Sequence, residues 1–237
     1  MILFDYPIHL SYPDYPFEGK KIINTINPHS YCVAKKDKNF EKALKDSDRL
    51  IPDGAGIVWA ARLLKGEKIE RITGADMHAY LLSQAQEHSL KVYYLGSTEE
   101  TLQKIEERIS VEYPAVKVGS FSPPFKQVFS ENDNDKMIEK VKAFSPDILF
   151  VGMTAPKQEK WAHQHKEDLN ASVICSIGAV FDFFAGTVQR SPEWMQNLGL
   201  EWLHRSLKSP RRLGKRNLRS NPEFVLDVLK SKFGFNI

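Results

Sequence analysis

Residues 147–153, "DILFVGM", are apolar on the successive positions 148–151 rather than on alternate ones. A strand of that kind hides both faces, and a sheet covered on both faces is a parallel one with helices on each side. Comparable runs recur at "KIINTIN" (21–27), "RLIP" (49–52), "KVYYLG" (91–96), "VKVGSFS" (116–122) and "SVICSIGAV" (172–180). Between them lie segments with helical spacing at 30–46, 55–65, 76–89, 98–110, 133–144 and 156–168. The alternation predicts an α/β fold over residues 1–190, a Rossmann-like, mostly parallel sheet flanked by helices. From about residue 191 the strand signal stops. Residues 191–237 read as a basic helical appendage with breaks near Pro210 and Pro222.

The chain of 237 residues is 42% apolar, enough for a real core. Its net charge of +3 gives no general argument for nucleic acid. Cys32 and Cys175 are the only cysteines, too few for a disulfide framework, and they fit a reducing, cytoplasmic compartment. "MILFDYPIHL" has neither a basic leader nor a sustained apolar run, so no signal peptide is expected. The longest apolar stretch, 172–186, is shorter than a bilayer span and contains Asp182, so any membrane contact is expected to be peripheral.

Ligands of open parallel sheets bind beyond the carboxyl ends of the strands. Several of these strands end in polar or glycine-rich sequence. Thr25 and Asn27 in "INTINPHS" fall on one side of an extended chain and could meet one ligand, or form a strand exit followed by an Asn-Pro turn. In "PDGAGIVWAARLL", Asp53 reads equally as a helix cap or as an acid aimed over the rim, with Gly54 and Gly56 admitting a ligand to a helix start. Arg71 in "ERITGADMHAYLL" suits a diphosphate, since its planar fork takes phosphate oxygens in pairs, but a surface residue before a capped helix fits as well. "FVGMTAPKQEKWAHQH" places Gln158 and Glu159 in a first helical turn, where they serve either a ligand or the helix itself.

Two Asp-x-Asp strings, 46–48 and 133–135, invite a metal reading. Neither lies at a strand exit, and ordinary helix ends explain both. His163 and His165 are two apart and fall on different helix faces, so no metal pair is expected. In the tail, residues 205–219 carry Arg205, Lys208, Arg211, Arg212, Lys215, Arg216 and Arg219 with no acid, just after Trp194, Leu198 and Trp202. That composition suits an anionic membrane surface, at roughly 1 kcal/mol per basic side chain near the lipid. A solvated basic helix competes with that reading.

Taken together, Thr25-x-Asn27, "PDGAGIVWA", "RITGAD", "VGMTAPKQEKW", "GAVFDFFAG" and "RSPEWMQNLGLEWLHR…PRR" follow one another as in the WecG/TagA/CpsF glycosyltransferases, glycosyltransferase family 26, which the chain resembles over about residues 21–219. The resemblance implies a bacterial enzyme, peripheral to the inner face of the cell membrane. It would move a sugar from a UDP-sugar to a polyprenyl-diphosphate-linked saccharide with inversion, in cell-surface polysaccharide synthesis, with no cofactor and no essential metal. The sugar would be N-acetylmannosamine-like, its uronic acid or a hexose. By the same resemblance Asp53 is the general base, Thr25 and Asn27 line the sugar site, Arg71 lies near the diphosphate, and Gln158 falls in the same pocket. Arg205, Arg211 and Arg212 are the tail arginines that would reach the phosphates.

Two other classes compete. A nucleotide-dependent oxidoreductase would share the sheet, but no strand here leads into the dinucleotide glycine fingerprint with an acid about 20 residues on. A non-catalytic module tethered to membrane by its basic tail would leave Asp53 without a purpose. No nucleic-acid partner is expected, since the β-α core offers no reading element for one.

Overall fold

The computed structural model describes residues 1–235, the side chains of residues 197, 205, 212 and 213 excepted. A short antiparallel hairpin, β1 (Ile2–Leu3) and β2 (Tyr6–Pro7), precedes the main sheet. The main sheet has six strands: β3 (Lys21–Ile26), β4 (Arg49–Pro52), β5 (Lys91–Gly96), β6 (Lys117–Phe121), β7 (Ile148–Gly152) and β8 (Val173–Ser176). Their order is β4-β3-β8-β7-β5-β6 and every pairing is parallel. All of β7 and β8 is buried, as successive apolar residues require of central strands.

Helices α1 (Pro28–Ala34) and α2 (Lys38–Lys45) link β3 to β4, and α3 (Ala55–Lys65) and α4 (Gly74–His88) link β4 to β5. The later crossovers are α5 (Glu99–Glu112), α6 (Glu131–Phe144) and α7 (Lys157–Gln164), and α8 (Gly178–Phe184) follows β8. One sheet face is covered by α4, α5 and α8, with Leu81, Leu102, Ile105 and Phe181 packed on Tyr94 and Phe150. The other is covered by α6 and α7, with Met137, Val141 and Trp161 on Leu149 and Val151.

Three boundaries differ from the sequence reading. The span 30–46 is two helices, because Asp37 accepts from the Phe40 amide at 3.0 Å and restarts the helix. The apolar run 172–180 serves first as strand and then as helix, since both elements are buried and periodicity cannot part them. After α9 (Glu193–Asn197), α10 (Glu201–Lys208) and a π turn at Pro210–Gly214, the last helix α11 (Lys215–Lys232) runs through Pro222 without a break. Pro222 offers no N–H to the Leu218 carbonyl. The helix holds because Asn217 and Ser220 before it and Phe224 after it are all buried.

Helix α11 is bound firmly to the α/β body. Phe224 and Val228 join Tyr31, Phe40 and Leu44 in a third core cluster beside β3 and β4. Asp227 accepts from Lys35 at 2.6 Å and from the Tyr31 hydroxyl at 3.2 Å, and Glu223 pairs with Lys36 at 3.0 Å. Emptying a buried phenylalanine site costs about 3–5 kcal/mol, so removing this helix would destabilise the whole chain.

Candidate active site

The strand exits form a continuous rim. At the end of β3, Asn27 caps α1: its Oδ1 accepts from the amides of His29 and Ser30, both at 3.0 Å, while the Asn27 amide donates to Ser30 Oγ at 2.7 Å. The carboxamide is therefore fixed by the turn, with Nδ2 directed away from the cap. Thr25, two residues earlier, is half-buried on the same side of the strand.

At the end of β4 the Asp53 amide donates to the Ile26 carbonyl at 2.9 Å, which carries the β3–β4 pairing one residue past the strand. The residue that caps α3 is Gly54, at φ 136° and ψ 142°, with no side-chain cap bond. The cap position of α3 is thus held by glycine and not by Asp53. Asp53 itself is half-buried at the strand exit. A Cβ on Gly54 would stand 3.4 Å from that of Asn27, so the exits of β3 and β4 abut.

Arg71 reaches the same corner through its neighbour, since the Ile72 amide donates to the Pro52 carbonyl at 3.2 Å. Its Nη2 donates to the Gln196 carbonyl at 2.7 Å, which ties the rim to the C-terminal helices. Asp76 is occupied as the capping-box partner of Thr73, accepting from the Thr73 amide at 2.8 Å and hydroxyl at 2.7 Å.

Further along, the chain leaves β5 toward β6 and β7 toward β8, in opposite directions. Such a reversal opens a crevice that receives ligands. Its floor is the in-register pair Gly96 and Gly152, where a Cβ on Gly96, at φ 120°, would collide with the Gly152 carbonyl. Gln158 is buried behind the next exit, and its amide is spent on protein groups: Oε1 accepts from the Met153 and Gly178 amides and Nε2 donates to Glu159. The aspartates of the two Asp-x-Asp strings lie apart from this rim. Asp46 ends α2, Asp48 accepts from the Ile22 amide and Lys166, and Asp133 closes a capping box with Ser130.

The C-terminal helices close over the β3–β4 end of the rim. Gly199 lies so near α3 that a Cβ there would collide with Ala55, two residues from Asp53. His29 Nδ1 meets Ser220 Oγ at 2.8 Å, and burial together with the Arg216 charge lowers the His29 pKa to about 4, so its imidazole is neutral. His29 and Arg216 thus join the site without having been nominated from sequence. They are 187 positions apart, and only the docking of α11 on α1 brings them together. Of the nominated tail arginines, Arg211 is exposed, and the side chains of Arg205 and Arg212 lie outside the described residues.

Residues 16–236 match the family model of the WecG/TagA/CpsF glycosyl transferases. The chain belongs to this family. It is similar to the N-acetylglucosaminyldiphosphoundecaprenol N-acetyl-beta-D-mannosaminyltransferase of Bacillus subtilis strain 168, with 31% identity over 89% of this chain and 80% of that protein. A protein of the same name from Staphylococcus aureus strain MW2 is 29% identical over the same shares. A WecG/TagA/CpsF chain is a glycosyltransferase, and the oxidoreductase alternative falls away. The segments that carry the family pattern, "INTIN", "PDG" and "RITGAD", are the ones that meet at the β3–β4 corner.

Proposed function

We propose that this glycosyltransferase moves an N-acetylmannosamine-like sugar from UDP to an N-acetylglucosaminyl-diphosphopolyprenol acceptor, with Asp53 as general base. The observation that carries the reading is the placement of Asp53: an acid at a strand exit, where the ends of β3 and β4 abut and the segment of Arg71 joins them. An acceptor hydroxyl attacks the anomeric carbon in line, forming the new C–O bond as the bond to the diphosphate breaks. Its proton passes to the Asp53 carboxylate, a step worth about 10²–10⁴-fold. The pair of electrons leaves on UDP. Arg71, the first turns of rim helices and an arginine of the tail offset the charge gathered there. The nucleotide is assigned to the β5–β7 crevice, about 17 Å along the rim from β4 at ~4.8 Å per strand, the scale of an extended sugar nucleotide. Thr25 and Asn27 then face the sugar.

The acceptor is a lipid, and α11 supplies a face for its membrane. Leu218, Val225, Leu226, Leu229 and Phe233 form an exposed stripe along the helix, and both of the helix's acids turn inward to Lys35 and Lys36. What remains outside is apolar or cationic, as an anionic lipid surface favours. Among the described residues no helix is long and apolar enough to cross a membrane, so this contact is proposed as peripheral, on the cytoplasmic side where UDP-sugars are made. Leu218→Glu with Leu229→Glu should reduce sedimentation with anionic vesicles at least fivefold and leave UDP binding intact. Equal sedimentation of variant and parent would remove the role of this face.

A screen of UDP-sugars against a short-chain diphospholipid N-acetylglucosamine, read by mass spectrometry, tests the transfer itself. The expected product is one N-acetylhexosamine heavier than the acceptor. Absence of product with every donor would return the chain to a binding role.

A further inference from the structure

Gln158 and Glu159 open α7 beneath the rim and are almost sealed from solvent, at 5% and 3% exposure. Gln158 Oε1 accepts from the backbone amides of Met153 at 3.1 Å and Gly178 at 3.2 Å, so one carboxamide ties the exit of β7 to the start of α8. Two N–H donors on one oxygen decide which way the amide faces. Nε2 therefore points to the other side, where Glu159 Oε1 accepts from it at 2.9 Å.

The corner has no slack. A Cβ on Gly178 would stand 2.5 Å from Gln158 Oε1 and would collide with the Met153 carbonyl. Contact continues from there to the β4 side of the rim: Ile177 and Val180 lie 3.2 and 3.4 Å from a Cβ built on Gly74, the first residue of α4, three residues after Arg71. A shift of the β7–β8 corner is thereby passed to the arginine assigned to the diphosphate.

We propose that Glu159 is a positioning residue of the transfer site: by accepting from Gln158 Nε2 it holds the Gln158 carboxamide across the exits of β7 and β8, and so fixes the rim around the leaving diphosphate. The proposal rests on the glycosyl-transfer reading. It reassigns Gln158 from a ligand of the sugar nucleotide to the clamp behind its site. The state of the acid fits that work. Glu159 Oε2 has no hydrogen-bond partner among the described residues, and burial raises the carboxyl to about 7, so near neutrality the neutral acid is populated beside the carboxylate, and Oε1 accepts in both forms. Glutamine reproduces the neutral form in size and keeps the acceptor. Methionine fills the same volume and removes it.

The test compares Glu159→Gln with Glu159→Met in the full chain. Glu159→Met should raise the Kd for UDP and lower kcat for transfer at least tenfold, and Glu159→Gln should bring both back to within about threefold of the parent. Amide hydrogen exchange supplies a readout that needs no turnover. Protection of the Met153 and Gly178 amides should fall at least tenfold in Glu159→Met and return in Glu159→Gln, with the amides of β3 unchanged. A methionine variant with parental kcat and parental protection overturns the proposal, and so does a glutamine variant as impaired as the methionine one. If the parent chain transfers no sugar, the functional reading fails on its own, while the exchange pattern still decides whether Glu159 holds the clamp.

Discussion

Asp133 and Glu159 occupy the same place in their helices, the third residue of α6 and of α7, and the fold treats them in opposite ways. Asp133 follows Ser130, whose amide and hydroxyl it accepts at 2.9 and 2.8 Å, and Lys126 stands 2.8 Å away. Led by the Lys126 bond, these contacts hold its carboxyl at about 2. Glu159 follows Pro156, which has neither a hydroxyl nor an N–H to exchange with it, and it turns instead into the protein, where burial pushes it to about 7. An acid in a first helical turn is thus not one kind of residue. The group at the cap position decides whether it closes a capping box or becomes available for something else. Asp53 extends the comparison: at α3 glycine holds the cap, and the acid stands one residue before it.

The largest effect separates Asp53 from the acids that only cap. Asp53→Asn keeps size and polarity and removes the proton acceptor, so turnover should fall at least about 100-fold, some 2.7 kcal/mol of barrier. UDP affinity and urea midpoint should stay near the parent's. Steady-state kinetics beside a UDP titration check this, and a variant that turns over normally would return Asp53 to the structural acids.

The second effect concerns Glu159. Its folded pKa lies above the ordinary value of 4.5, so the folded state holds the proton more tightly than the unfolded one. Stability is then highest below pH 4.5 and declines as pH rises toward 7, by about 1.4 kcal/mol per pH unit where the two states differ by one proton. Glu159→Gln removes that decline. Urea denaturation should find the variant equal to the parent near pH 4.5 and more stable above pH 7, by on the order of 3 kcal/mol. A constant difference across that range would show that Glu159 is not the group titrating.

A third test takes an acid that does close a box. Asp76→Ala should cost about 1 kcal/mol of stability, the usual worth of a cap, by loss of its bonds to the Thr73 amide and hydroxyl. Because α4 begins three residues after Arg71, a small rise in KM for the sugar nucleotide should accompany it. A tenfold loss of kcat at unchanged stability would place Asp76 among the reacting groups and erase its difference from Asp53.

How much of this was open to reading from the sequence follows the same division. Strands 21–26, 49–52 and 91–96 were visible as apolar runs, because a strand buried on both faces has only one composition. The polar exits that mark the rim were visible as well. Where a buried strand passes directly into a buried helix, at 176–178, composition is the same on both sides and the boundary is hidden. The small hairpin at residues 2–7 is too short to leave a period. For Asp53, sequence leaves cap and catalyst equally open, and only the structure shows that Gly54 holds the cap position. Gln158 reads from sequence as a candidate site residue, whereas its bonds to Met153, Gly178 and Glu159 declare themselves only through distance. His29 and Arg216 lay beyond any local signal. Their meeting depends on a helix near the end of the chain packing on one near its start.

The smallest effect returns to Asp133. Its folded pKa lies below the ordinary 3.8, so its contribution is fully present above that value and is lost as pH falls through about 2. The pair lies at the protein surface with Lys126 half-exposed, and screening by water and salt keeps the effect below that of Asp76. Asp133→Ala should therefore lower the urea midpoint slightly at pH 7, with the difference shrinking in 1 M salt and closing near pH 2. Transfer activity should match the parent, because α6 follows β6, which stands at the opposite end of the strand order from β4 and Asp53. If instead the variant lost activity, the capping box at Ser130 would be part of the rim, and the contrast between boxed and unboxed acids would no longer track function.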